Sequence, residues 1–158
     1  MNRLQAGRPI LQQIAAAQNR TIPDVIAAGL QVLFCGINPS LYSAAVGHHF
    51  GRPGNRFWPA LCAAGFSDAL LHPSEQRHLL PRGYGITNLV ARATAGADEL
   101  AADELIAGAR RLQRKVRRHR PACVAFLGMT AYRIAFGRKD AALGPQPQTL
   151  AEIGRAHV

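Results

Sequence analysis

Two segments of this chain share one grammar, and that grammar restricts the fold more than any other feature. Leu30-Gln31-Val32-Leu33-Phe34-Cys35 is a short, mostly apolar run closed by Gly36, and Ala122-Cys123-Val124-Ala125-Phe126-Leu127 is another, closed by Gly128. Runs this short and this apolar read as strands buried on both faces, the condition of a parallel sheet. Gly85-Ile86-Thr87-Asn88-Leu89-Val90 is a third candidate strand. Helical stretches separate them. Asn55 is placed to cap a helix from Arg56 to about Ala64, with Pro59 in the first turn, where its missing N–H costs little. The longest helix begins at Asp98 or Ala102 and runs to about His119, and Pro121 ends it. Leu105, Ala109, Leu112 and Val116 form its apolar stripe. Strand, helix, strand order predicts an α/β fold with a mostly parallel sheet and helices on both faces. Ligands of such sheets bind beyond the carboxyl ends of the strands, so the segments after Cys35, Ile86 and Leu127 are the ones to search.

With 158 residues, 48% of them apolar, the chain has enough material for one domain and too little for two. Residues 1–28, rich in Ala, Gln and Arg, read as an N-terminal extension with at most one short helix, and the ordered domain is expected over 29–158. Nineteen Lys and Arg against nine Asp and Glu give a formal charge of +10. Such a balance suits a polyanionic partner through phosphate neutralisation, although many basic proteins are simply soluble. Cys35, Cys62 and Cys123 are odd in number and widely spaced, which supports neither a disulfide framework nor a zinc knuckle. The N-terminus has no continuous apolar h-region and no stretch approaches a membrane span. A soluble intracellular protein is the expectation.

Two segments invite chemistry. In Gly36-Ile37-Asn38-Pro39-Ser40, directly after the first strand, Asn38 points out of the sheet end; taken alone, it reads as an Asn capping the next turn. In the second, Gly47 to Trp58, glycines flank Phe50 and place it on a loop, where it is either a ring for stacking on a planar base or a staple into the core. Phe57 and Trp58 start a helix and belong to the core. His48 and His49 are neighbours with no carboxylate or thiolate placed to help them, so a metal site is set aside and no cofactor is expected.

Four blocks in series, F-C-G-I-N-P-S, G-x-x-F-x-x-P-x-N-R-F-W, G-I-T-N-L-V-x-R-x-T and L-G-M-T-A-Y, resemble those of the mismatch-specific uracil-DNA and thymine-DNA glycosylase family in order and spacing, from about Ile22 onward. The resemblance implies a three-layer α/β/α sandwich with a short central sheet. It implies a cofactor-free enzyme that flips uracil, mispaired with guanine in double-stranded DNA, out of the duplex and hydrolyses its glycosidic bond; relatives also process ethenocytosine, and thymine is a further candidate. A monomeric cytoplasmic protein, nucleoid-associated through DNA binding, is the expectation that goes with it. Carried over by position, Asn38 would hold the attacking water, Phe50 would stack under the base, and backbone amides near Ile37 and Phe50 would meet its carbonyl oxygens. Ser43 would lie near C5 of the base. Asn88 would contact base or sugar, against an equal reading as an Asn bonding local backbone at a strand end.

Three features depart from the family or stand outside it. Met129 stands where relatives often carry Lys after the Gly, removing a phosphate contact. The last strand, followed in relatives by an N-P-S-G-L type wedge loop, would begin where this chain stops at Val158, which keeps open a non-catalytic module that binds damaged DNA. The basic run Arg110, Arg111, Arg114, Lys115, Arg117, Arg118 and Arg120 lies opposite the apolar stripe, where a solvated face is the ordinary outcome.

Overall fold

The computed structural model describes residues 7–150 and 155–158. In chain order the elements are α1 (Leu11–Ala15), β1 (Val32–Gly36), α2 (Leu41–Val46), α3 (Phe57–Ala63), a 3₁₀ segment Pro73–Arg82, β2 (Tyr84–Asn88), a 3₁₀ turn Ala97–Glu99, α4 (Ala102–His119), β3 (Cys123–Phe126), α5 (Met129–Phe136), β4 (Pro145–Thr149) and β5 (Arg155–His157). One sheet forms in the order β2-β1-β3-β5-β4. The first four strands of that order run parallel, and β4 pairs antiparallel with β5 at the edge. Pro145 and Pro147 sit in this edge strand, the place where a missing N–H does least harm.

Strand alternation divides the core. Leu33 and Cys35 of β1 and Val124 and Phe126 of β3 face a cluster built by Leu105, Ala109, Leu112 and Val116 of α4 with Ala131, Tyr132 and Ala135 of α5. Phe34 of β1 and Ile86 of β2 point the other way, onto Trp58 and Leu61 of α3, Leu79 and Val25. Helices therefore cover both faces, giving the expected three layers. The apolar stripe read for the long helix is buried at all four positions. Asp103 and Glu104 in its first turn and Arg117, Arg118 and His119 in its last complement the helix dipole.

Before Gly29 the expectation and the structure part. Ala17, Ile22 and Val25 are buried. Val25 exchanges both backbone hydrogen bonds with Ile86, at 2.9 and 2.8 Å. Asp24 forms an ion pair with Lys115 at 2.6 Å and accepts from Thr87 Oγ1 at 2.8 Å. This arm has no helical or alternating period because it crosses the sheet edge as irregular chain, so composition alone read it as an appendage. Lys115 is corrected by the same contacts: it turns in from the basic face to hold the arm, while the arginines around it are exposed. A second difference lies at the other end, where β5 forms at Arg155–His157 and pairs with β3 through Cys123, Val124 and Ala125.

Gly108 shows how closely the layers approach. A Cβ there would collide with the Leu89 carbonyl oxygen, just past β2. Mid-helix glycine ordinarily costs about 1 kcal/mol relative to Ala, so this one is retained for the contact. Gly108→Ala is expected to lower stability by roughly 1–3 kcal/mol, as overpacking does, despite the better helix former. Thermal unfolding followed by circular dichroism checks this; an unchanged or raised midpoint would show that α4 has room to retreat.

Candidate active site

The parallel register of β1 with β2 and β3 brings Gly36 beside Asn88 and Cys35 beside Phe126. The loops that follow all three strands therefore leave the sheet at one edge. There they enclose a hollow of about 200 Å³ lined by Gly36, Ile37, Asn38, Ser43, Phe50 and Asn88 among others. All five residues singled out from the sequence, Ile37, Asn38, Ser43, Phe50 and Asn88, line this one hollow.

Asn38 is fixed by its nitrogen. Nδ2 donates to the Arg92 carbonyl oxygen at 3.0 Å and to Thr94 Oγ1 at 2.8 Å. A carbonyl only accepts, and Thr94 spends its own hydroxyl hydrogen on Gly96 O at 2.7 Å, so the amide cannot be turned over without losing both bonds. Oδ1 is left as the acceptor that Asn38 offers to the hollow. The expected reading of an Asn capping the next turn belongs instead to Ser40, whose Oγ accepts from Ser43 N at the start of α2.

Phe50 sits on a loop at φ +52°, a left-handed conformation that a non-glycine residue seldom adopts. Its neighbours hold it there. His49 N donates to Gln76 Oε1 at 2.8 Å, Gly51 N to Ser43 Oγ at 3.0 Å, and Trp58 Nε1 to His49 O at 3.2 Å. The Phe50 ring stacks on Phe57 with centroids 4.1 Å apart and planes 26° apart. So the staple and the pocket wall are one residue: Phe57 backs the ring, and the ring lines the hollow. Within the loop the N–H groups of Gly47, His48, His49 and Gly51 all donate, whereas those of Phe50 and of Ile37 reach no described residue.

Gly36 is required by the same crowding. A Cβ on it would strike Asn88 Oδ1 and come within 3.3 Å of Phe50 Cζ. Asn88 Nδ2 lies 3.3 Å from His49 Nδ1, and His49 Nε2 lies 2.9 Å from the Pro23 carbonyl oxygen. Burial pushes the His49 imidazole below its ordinary value. Burial also pushes the thiols of Cys35 and Cys123 up, away from the thiolate form.

Sequence reasoning missed Thr94 and Arg92, which anchor the key amide, and His49, which it weighed only as a metal ligand. Arg92 and Thr94 both stand in the third block, and their spacing from Asn88 was the available signal. Arg92 is itself clamped. Its Nε and Nη2 meet the two carboxylate oxygens of Glu104 at 2.6 and 2.9 Å, tying the loop after β2 to the first turn of α4.

Residues 23–157 match the model of the uracil DNA glycosylase superfamily. The chain belongs to that superfamily. As a uracil DNA glycosylase superfamily member it is a DNA N-glycosylase, a hydrolase of DNA repair acting on uracil, and its substrate is DNA. The matched span begins at the Pro23–Val25 arm that packs behind the hollow, in keeping with the arm's place in the fold.

The Arg92–Glu104 clamp gives a pH prediction. The Arg92 hydrogen bonds, and after them the Ala101 N–H, push the Glu104 carboxyl down to about 2 from an ordinary 4.5. A carboxyl depressed on folding contributes stability that is present above its unfolded value and lost as pH falls through its folded one. Thermal midpoints are therefore expected to decline between about pH 4.5 and about pH 2, and Glu104→Gln to flatten that decline. An equally steep acid limb in the variant would assign the loss to other carboxylates.

Proposed function

We propose that this glycosylase excises uracil mispaired with guanine in duplex DNA, by flipping the nucleotide into the hollow and directing water at the sugar with Asn38. The observation that carries the reading is the locked amide of Asn38. With Nδ2 spent on Arg92 O and Thr94 Oγ1, its Oδ1 is a fixed acceptor for one water hydrogen. Ile37 and Phe50 line the same hollow, and their backbone N–H groups, which have no partner among the described residues, suit the carbonyl oxygens of a pyrimidine. The volume, well under the ~300–1,000 Å³ of pockets for drug-sized ligands, is scaled to a single ring. Phe50, backed by Phe57, offers that ring a stacking surface.

The chemistry is hydrolysis without covalent catalysis. The bond between C1′ and the base nitrogen breaks with its electron pair leaving on the base, where it delocalises onto the carbonyl oxygens beside the Ile37 and Phe50 amides. The sugar gains oxocarbenium character, the water oxygen bonds to C1′, and the released proton passes to solvent. Asn38 is a neutral amide and a poor base, so its contribution is positioning, and the amides supply charge stabilisation. The loop Gly36–Leu41 holds no Asp or Glu, which predicts a slow enzyme. Ser43 Oγ, buried and fixed by Ser40 Oγ at 2.9 Å and Gly51 N, would border C5 and decide whether the methyl of thymine or an etheno ring enters.

A labelled duplex with one G·U pair, treated with protein and then alkali, reads excision as strand breaks. Wild type is expected to cut at the uracil. Asn38→Ala should lose at least about 100-fold in single-turnover rate, the scale of losing one preorganised catalytic group, while still binding the duplex. Undiminished breaks in Asn38→Ala would remove Asn38 from the mechanism, and binding without breaks in wild type would favour a damage-binding module. Phe50→Ala should cost about 5- to 100-fold in excision, the worth of one base–aromatic stack, and leave non-specific DNA affinity in place. Equal losses in both assays would count against stacking.

A further inference from the structure

The mechanism leaves His49 without a task, although it lines the hollow and is 2% exposed. Each ring nitrogen has one partner. Nε2 lies 2.9 Å from the Pro23 carbonyl oxygen, which can only accept, so Nε2 carries the hydrogen. In the neutral ring Nδ1 is then a lone pair, and it faces Asn88 Nδ2 at 3.3 Å. A lone pair accepts only, so Asn88 must turn its NH₂ toward His49. Its Oδ1 is thereby directed over Gly36 at the floor of the hollow, where a Cβ would strike it. Polarity is thus passed from the Pro23 carbonyl through the imidazole to the Asn88 amide.

The geometry points to His49 as a positioning residue that sets which end of the Asn88 amide meets the base, and so selects a ring edge carrying an N–H donor. This inference rests on the reading that Asn88 contacts the flipped base. Uracil presents N3–H to an acceptor. Cytosine in the same seat would turn its N3 lone pair against Asn88 Oδ1, an unpaired and repulsive contact. An amide free to rotate would accommodate both bases and discriminate between neither.

The support behind His49 is correspondingly firm. Pro23 is carried on the arm that Asp24 ties to Lys115 at 2.6 Å and to Thr87 at 2.8 Å, and that Val25 pairs to Ile86. The charged and titratable groups facing the ring are Asp24 on the arm, Lys115 on α4 and His48 beside it. Asp24 favours a protonated ring and the other two oppose it, while burial opposes it most and keeps the ring neutral. Protonation would place a hydrogen on Nδ1 and demand the opposite amide orientation.

Two substitutions separate this role from a structural one. His49→Gln keeps a donor within reach of Pro23 and loses the acceptor facing Asn88; His49→Asn keeps an acceptor near the Nδ1 position and loses the Pro23 bond. Positioning predicts that His49→Gln slows single-turnover excision from the G·U duplex by about tenfold or more, the scale of a misdirected buried hydrogen bond, and His49→Asn by less than about threefold. Thermal midpoints should rank the other way. In an Asn88→Ala background His49→Gln should add nothing, the signature of two residues acting as one unit. A two-bond ¹H–¹⁵N spectrum of the folded wild type should show the Nε2–H tautomer. An Nδ1–H tautomer, a greater rate loss in His49→Asn than in His49→Gln, or an undiminished effect in the Asn88→Ala background would each overturn the assignment. Absence of excision in wild type would instead overturn the proposed function, and the tautomer spectrum reads His49 independently of it.

Discussion

Strand β1 is the constraint on which the site depends. It lies between two parallel neighbours, buried on both faces, so its backbone has no freedom to slide: Val32, Leu33, Phe34 and Cys35 are each matched in register on both sides. A one-residue slip would exchange Phe34 with Leu33 and Cys35 between the two core clusters. Because all three strands run the same way, their following loops exit together, and Gly36, the last residue of β1, gives Asn88 and Phe50 the space to meet above the sheet. Packing of the two helical layers thus fixes where the polar groups stand at the strand ends.

How much of this was legible varies with the kind of interaction. The strands, the long helix and its stripe were readable because burial writes a period into the sequence, and Leu105, Ala109, Leu112 and Val116 bury as that period requires. The five residues that line the hollow were readable as a group because the blocks carrying them stand in a fixed order. The arm around Val25 was not, since a lone bridge to Ile86 and an ion pair from Asp24 to Lys115 leave no periodic trace. Helix α5 and edge strand β4 likewise went unassigned. The anchors of Asn38 are harder still: one is the backbone carbonyl of Arg92, for which side-chain identity is almost immaterial, and the other is a Thr 56 positions away.

Charge is divided between holding the fold and forming an exposed basic surface. Among the described residues, three ion pairs join different segments of the fold: Lys115 to Asp24, Arg92 to Glu104 and Arg82 to Asp68. The first two brace segments that hold residues lining the hollow: the arm behind His49 and the loop that supplies both Asn38 anchors. The exposed arginines of α4 have no comparable work in the fold. Because α4 runs back against the strands, its last turn, Arg117 to His119, lies at the sheet end away from the hollow. Their contribution is a long-range field that attracts a polyanion, screened over about 10 Å at ordinary salt.

The hollow itself contains no charged side chain among its lining residues, and that shapes the chemistry it can perform. A carboxylate beside the sugar would stabilise oxocarbenium character strongly, but it would also repel the anion that the departing base becomes. In the proposed mechanism both tasks fall to fixed dipoles: an amide oxygen held by Arg92 O and Thr94 Oγ1, and backbone N–H groups on a loop kept in a strained left-handed turn at Phe50. Dipoles act only as well as they are aimed, because each is weaker than a charge and is lost if the group can rotate. The density of second partners around Asn38, Asn88 and Phe50 follows from that weakness. A site built of neutral groups must invest in orientation what a charged one obtains from field strength, and in this protein the investment reaches back through His49 to the arm that composition alone reads as an appendage.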